Sequence, residues 1–321
     1  MSSLLVLTDP EIEGLIGFDD AIELVEKAFI ADARGAVATL PVLLHSIPER
    51  EASFGIKASH LYIPNEPEVI GLKAGWFSPG NAVLGLPGHL ATILLVNPRT
   101  GEAVALMSGN SITTLRTAAG GAVAARVLSR PGSARVAVLG AGVQAYAQLQ
   151  ALRQVRDVRH VCFWARRVQA ARALAGRVPE LSASVCSTVE ETVRDADIVI
   201  TTTPSREPLL HGAWVKPGTH VNAIGADGKG KRELDDELLA KAHFVADKRV
   251  QSATIGEWQY ANRPAEFAEL GEICAGLRPG RQSSEEITVF DSSGVSFQDV
   301  IVAGEVMRRA MQGGIGRTLE L

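Results

Sequence analysis

Two groups of residues in this chain have types and spacings that could do chemistry. The first is Gly140-Ala141-Gly142-Val143-Gln144-Ala145, which follows the apolar run RVAVL and opens the helical stretch VQAYAQLQALRQV. Glycine at the first position permits a tight turn. Glycine at the third lets backbone approach a pyrophosphate, and alanine at the sixth lets helix and strand pack closely. The helix start, with Val143 and Gln144 in its first turn, offers N–H groups and positive potential to phosphate. GxGxxA alone is a weak signal, but a strand before it and a helix after it make it a dinucleotide-binding one. About 20 residues on, a carboxylate would accept from the ribose hydroxyl of NAD. Here Phe163-Trp164-Ala165-Arg166-Arg167 supplies no acid and two guanidiniums, which suit a phosphate. NADP is therefore expected, with NAD as the alternative. Thr202 and Thr203, at the end of the strand after DADIVI, are expected to line the same groove, because ligands sit at strand carboxyl ends in open α/β sheets.

The second group is cationic. Arg116 lies inside a helix of alanines and glycines, SITTLRTAAGGAVAARVLS, and Lys73 lies in the apolar strand VIGLKAGWF. A charge in such surroundings needs an anionic partner. The Arg116 fork suits a carboxylate, whether a ligand's or that of a buried salt bridge. A lysine that snorkels to water is the other explanation for Lys73.

The elements that must hold these groups alternate in texture. Residues 19–34 have helical period, with Ile22, Val25, Phe29 and Ile30 on one face. From Leu40 to Met107 the chain reads as short β-segments broken by Pro and Gly, ending in a hairpin about Asn97-Pro98-Arg99-Thr100-Gly101. Beyond residue 111, helices and strands alternate as βαβ units, which implies a parallel sheet with right-handed crossovers. Residues 296–310 read as a closing helix. The expected fold is α/β: a Rossmann-type doubly wound parallel sheet at 113–295, plus a smaller, mostly antiparallel α+β substrate and dimerisation domain at 1–112, completed by 296–321.

Composition narrows the classes. The chain has 321 residues, 46% hydrophobic and 21% charged, with a net charge of 32 − 36 = −4. That is too apolar for disorder and too acidic for a nucleic-acid partner. No apolar run approaches the roughly 20 residues of a membrane span. The opening MSSLLVLTDPEIEGLIGFDD lacks the basic stretch of a signal peptide. Cys162, Cys186 and Cys274 show no metal-ligand spacing, so no metal is expected, and free thiols suggest the cytoplasm.

The order of RTAA at 116–119, GAGVQA at 140–145, GADGKGKREL at 225–234 and ITVFDSSGVSFQD at 287–299 resembles the ornithine cyclodeaminase/μ-crystallin family, over about residues 5 to 312. The resemblance implies a homodimer acting on a small imino or amino acid beside a nicotinamide. It implies that Lys73 and Arg116 bind the substrate carboxylate and that Asp227 is catalytic. Ser293 and Gly294 are expected around the nicotinamide and the substrate, and Thr113 at the cofactor. Two departures narrow the substrate. Leu40-Pro41-Val42-Leu43-Leu44-His45 lacks the family's frequent second carboxylate-binding arginine. Gly55-Ile56-Lys57-Ala58-Ser59-His60 lacks the glutamate with which cyclodeaminases hold ornithine's distal amine. Lys57 would repel that amine and attract a second carboxylate, with His60 as its expected companion.

The segments GADGKGKRELD, VQSATIGEWQ and ELGEICAG are most similar to the iminosuccinate reductase/alanine dehydrogenase-like branch. The expected function is NAD(P)H-dependent reduction of a small α-imino acid, iminosuccinate to aspartate above others. The alternatives are cyclodeamination of ornithine, reduction of a cyclic ketimine such as pyrroline-2-carboxylate, and a non-enzymatic, NADPH-dependent binding protein like μ-crystallin.

Overall fold

The computed structural model describes residues 3–261 and 264–320; Met1, Ser2, Asn262, Arg263 and Leu321 lie outside the described residues. The chain divides into two compact units, 1–116 with 295–321, and 117–294. The divisions expected from the sequence stood at 112/113 and 295/296.

The first unit contains β1 (Ser3–Leu7), α1 (Asp9–Glu13), α2 (Phe18–Ala33), β2 (Val37–Thr39), β3 (Leu43–Ile47), β4 (Ala52–Leu61), β5 (Val69–Phe77), β6 (His89–Val96), β7 (Ala103–Ser108) and the start of α3 (Asn110–Leu128). The second carries β8 (Arg135–Leu139), α4 (Val143–Val155), β9 (His160–Trp164), α5 (Val168–Ala175), β10 (Ser182–Val185), α6 (Val189–Val193), β11 (Ile198–Thr201), β12 (His220–Ala223), α7 (Asp236–Lys241), β13 (His243–Ala246), α8 (Arg249–Ile255), β14 (Ala268–Glu269), α9 (Leu270–Cys274) and β15 (Thr288–Asp291). The chain then returns to the first unit with α10 (Ser296–Gly313) and β16 (Arg317–Glu320).

In the first unit the strands run β16-β1-β7-β6-β5-β4-β2, with β3 also paired to β4. The pairings are antiparallel except β1 with β7. The hairpin expected at Asn97–Gly101 closes with Gly101 N–H donating to the Asn97 carbonyl at 2.8 Å, and Gly101 takes a φ of 78°. That positive φ is the reason glycine stands there. Helix α10 packs across β4 and β5 and against α2, where Phe29 meets Phe297 edge to face at 5.4 Å. At Gly304 an added Cβ would come within 3.1 Å of Val69, so this glycine permits the close approach of α10 to β5.

The second unit is a fully parallel sheet in the order β10-β9-β8-β11-β12-β15-β13-β14. Its central strands are buried on both faces, as helix-covered parallel strands must be. One face packs Leu149 and Leu152 of α4 and Leu174 of α5; the other packs Leu238, Phe244, Trp258 and Phe267. The strand order reverses between β8 and β11. That is the switch point at which open α/β sheets bind ligands.

Candidate active site

The first unit gathers charge on the sheet face beneath α10. In the β4–β5 ladder Lys57 stands directly opposite Lys73, so both side chains leave the sheet on the same side. Like charges in that position repel. Helix α10 answers them with a carboxylate: Lys73 Nζ donates to Asp299 Oδ1 at 2.8 Å. Arg116 Nε donates to the same oxygen at 2.9 Å. The other end of the Arg116 fork reaches Gln298 Oε1 at 3.0 Å, and Lys73 also donates to Thr113 Oγ1 at 3.1 Å. Lys73, Arg116 and Asp299 are 4%, 5% and 1% exposed, which rules out a snorkelling lysine.

Helix α3 presents Thr113 and Arg116 from one face because its first turn is tied down. Asp9 accepts from Ser108 Oγ, Asn110 Nδ2 and the Ser111 N–H at 2.7, 3.1 and 2.9 Å. Helix α10 is held over β4 by Ser296, whose hydroxyl contacts the Ser59 hydroxyl and the Ala58 carbonyl. Burial pushes the Lys73 ammonium down to about 7; Arg116 and Lys57 add to that, while Asp299 opposes it. Burial by itself would raise Asp299, but Arg116, Lys73 and Lys57 outweigh it and hold the carboxyl below its usual range.

Not every expected residue joins this cluster. His60, three residues from Lys57, leaves β4 on the opposite face and pairs with Glu68 at 2.5 Å. Thr113, expected at the cofactor, is brought to Lys73 within the first unit. Gly294, expected with the substrate residues, belongs to the second unit. Its N–H and the Ser293 hydroxyl both donate to Asp247, at 2.6 and 2.7 Å, and Gly294 takes a φ of 76°.

In the second unit the glycine loop crosses the end of β8. Gly140 has a φ of 120°, and a Cβ there would fall 2.4 Å from Thr202 Oγ1 at the end of β11. Thr202 in turn donates to the Leu139 carbonyl. Nothing lies within 4 Å of where a Gly142 Cβ would stand, directly before the first turn of α4. Val143 is 67% exposed there, and the buried Gln144 Oε1 has no hydrogen-bond partner among the described residues. Open space beside a helix N-terminus fits the pyrophosphate of a dinucleotide. Arg166 and Arg167 are exposed at the end of β9, with Arg167 capping α5.

Asp227 is exposed beyond β12 and accepts from Lys231 Nζ at 2.5 Å. Its loop is anchored by Glu233, which accepts from Thr201 Oγ1, the Thr203 N–H and hydroxyl, and the Gly225 N–H at 2.6 to 2.8 Å. Burial raises the Glu233 carboxyl despite those bonds. Sequence reasoning missed Glu233, Gln298 and Asp299 as parts of the machinery. The available signal, for Asp299, was an acid set directly before the apolar run VIVAG in the helix that opens SFQDVIVAG. Among the described residues no cluster of His, Cys, Asp and Glu could hold a metal, no helix is long and apolar enough to cross a membrane, and no disulfide joins the three cysteines.

Known proteins share this fold over nearly the whole length of the chain. An archaeal alanine dehydrogenase dimer with bound NAD superposes with a TM-score of 0.95 at 40% identity, covering 100% of both chains. The pyrroline-2-carboxylate reductase of Thermococcus litoralis, in complex with NADH and L-proline, superposes with a TM-score of 0.93 at 31% identity, covering 98% of this chain and 99% of that one. The iminosuccinate reductase of Paracoccus denitrificans is 35% identical over 99% of this chain and 100% of its own. The sequence profile of the ornithine cyclodeaminase/mu-crystallin family matches residues 3–314, taking in both the glycine loop and the buried cations. With fold, motifs and profile in agreement from end to end, the chain belongs to that family.

Proposed function

We propose that the protein is an NAD(P)H-dependent reductase of a small α-imino acid, with iminosuccinate the favoured substrate and L-aspartate the product. The observation that carries this reading is the buried pair of cations sharing one oxygen of Asp299. With Lys73 protonated, the three groups sum to 2 − 1 = +1, which suits one carboxylate. Lys57, in register with Lys73, is assigned to the second carboxylate of a dicarboxylic substrate. The relationship to an iminosuccinate reductase supports that assignment.

Lys73 and Arg116 bind and orient the α-carboxylate, which fixes the position of the imine carbon. The glycine loop with Gly142, Val143 and Gln144 holds the pyrophosphate, and Thr202 and Thr203 line the same strand ends. A reduced nicotinamide dinucleotide bound there supplies the hydride. The carbon–nitrogen double bond becomes a single bond, and its electron pair takes a proton at nitrogen. Asp227 is assigned to pass on that proton as general acid, with the Lys231 ammonium that donates to it as the proton's source. Ser293 and Gly294, locked by Asp247, keep the loop after β15 compact. A homodimer is the proposed assembly: Leu43, Leu44 and Phe54 on β3 and β4 are 63%, 56% and 39% exposed, and the archaeal relative is a dimer. The cytoplasm, a reducing compartment, is the proposed location.

The test is oxaloacetate with ammonium, assayed with NADPH and NADH beside pyruvate with ammonium and a five-membered cyclic imine. Turnover of the cyclic imine alone would move the assignment to the second reading, supported by the Thermococcus litoralis relative. Arg116→Ala should lower kcat/KM at least about 10-fold and leave dinucleotide affinity within about twofold. Equal losses in both would remove Arg116 from the carboxylate site.

A further inference from the structure

We propose that Asp299 is the positioning residue of this anion site, a resident carboxylate that aims Lys73 and Arg116 at the substrate and keeps the Lys73 ammonium charged. The inference rests on the reading that those two cations bind the substrate carboxylate. Two features distinguish the arrangement from a buried salt bridge that merely satisfies itself. First, both cations converge on one oxygen, Oδ1, while Oδ2 is buried with no hydrogen-bond partner among the described residues. Second, donors are left over. An ammonium has three N–H groups, and the bonds to Asp299 and Thr113 use two. A guanidinium has five, and the bonds to Asp299 and Gln298 use two. The remaining N–H groups can serve an incoming carboxylate while Asp299 stays in place.

Asp299 is itself fixed. Phe297 is buried against Phe29, and Ser296 is tied to β4, so the first turn of α10 cannot rotate without breaking both contacts. The charged and polar groups facing Lys73 are Lys57 from β4, Thr113 and Arg116 from α3, and Asp299 from α10, with Gln298 bonded to Arg116. Asp299 is the anion of that set. Burial and the neighbouring cations already bring the Lys73 ammonium down to about 7. Without the Asp299 charge it would lose its proton at still lower pH, and the site would lose its affinity for anions.

Succinate, an unreactive dicarboxylate, is a direct probe of the intact protein with its dinucleotide, titrated from about pH 6 to about pH 9. Wild-type affinity should fall as pH rises through the Lys73 transition. Asp299→Asn should move that fall down by at least about one pH unit, since a neighbouring opposite charge is worth about that much. Affinity at neutral pH should drop about 10-fold. Lys73→Arg, which does not titrate, should abolish the pH dependence, and Asp299→Asn in that background should then produce no shift. An Asn variant with the wild-type midpoint, or one that still shifts it when residue 73 is arginine, overturns the proposal. If Asp299→Asn does not fold, Asp299→Glu decides. It should keep the midpoint but bind succinate more weakly, and a lowered midpoint or unchanged affinity sinks the idea. Wild-type affinity in Lys73→Ala and Arg116→Ala would instead show that the carboxylate reading itself had failed.

Discussion

Lys73 and Arg116 sit where no isolated charge could remain, and their partner comes from 226 and 183 residues away in the chain. Desolvating a cation costs several kcal/mol, so a buried one is kept only where another group answers it. Here the answer is partial by construction, with two cations on one carboxylate oxygen, and the surplus is what suits the cluster to the proposed substrate carboxylate. Arg166 and Arg167 present the opposite situation. They are exposed and spend nothing on burial, so their effect depends on what binds beside them. If they hold the 2′-phosphate of NADP, Arg166→Ala with Arg167→Ala should raise the KM for NADPH about 10-fold or more and leave that for NADH within about twofold. Steady-state kinetics with both cofactors would show it, and equal changes would return the assignment to NAD, the cofactor bound to the archaeal relative.

At the scale of elements, the proposed function depends on a few tight crossings. Gly140 passes over Thr202 at a distance no side chain could share, with a φ of 120° that L-residues rarely adopt. Gly140→Ala should therefore displace the loop and weaken dinucleotide binding at least about 10-fold, read by quenching of the nicotinamide fluorescence, while far-UV circular dichroism stays unchanged. Binding at wild-type strength would show that the loop is not the cradle. Helix α3 shows a second device. Asp9 ties its N-terminus to β7, so that Thr113 and Arg116, one turn apart, meet Lys73 and Asp299 with fixed geometry.

The whole molecule carries an electrostatic load away from the proposed anion site. In the second unit, burial pushes Asp291 up to about 8, against the Ser252 hydrogen bond and helped by Asp247; burial also raises Glu257 and Glu233. An unfolded aspartate ionises near pH 4. Between that value and the folded one the unfolded chain binds fewer protons, so this contribution to stability falls as pH rises. Buried His220 works in the other direction. Burial brings it down to about 3, so its contribution rises with pH until the unfolded histidine loses its proton near pH 6.5. Above about pH 6.5 the acids' contribution declines towards pH 8, while Lys73, brought down to about 7, acts in the opposite direction. Asp291→Asn should flatten that decline, melting relatively higher at pH 8 than at pH 6.5 by about 3 °C or more. An equally steep decline in the variant would exclude Asp291 as its source.

What the sequence determined by itself was local. The strand, glycine loop and helix at 135–155 could be read because turn geometry, phosphate recognition and helical period all act over a few residues. The hairpin at Asn97–Gly101 and helices α2, α3 and α10 were legible for the same reason. Missed were β1 and β16, short edge strands whose role depends on neighbours at the far end of the chain, and α8 and α9, too short to show a period. The tertiary structure alone decided which charges meet. Strand register turned Lys57 towards Lys73 and His60 away from it, since side chains alternate faces and one residue reverses the direction. Helix packing brought Asp299 to two cations that the sequence could only show to need an anion. Spacing along a chain specifies local geometry, whereas the partner of a buried charge is chosen by the long-range packing that removes it from water.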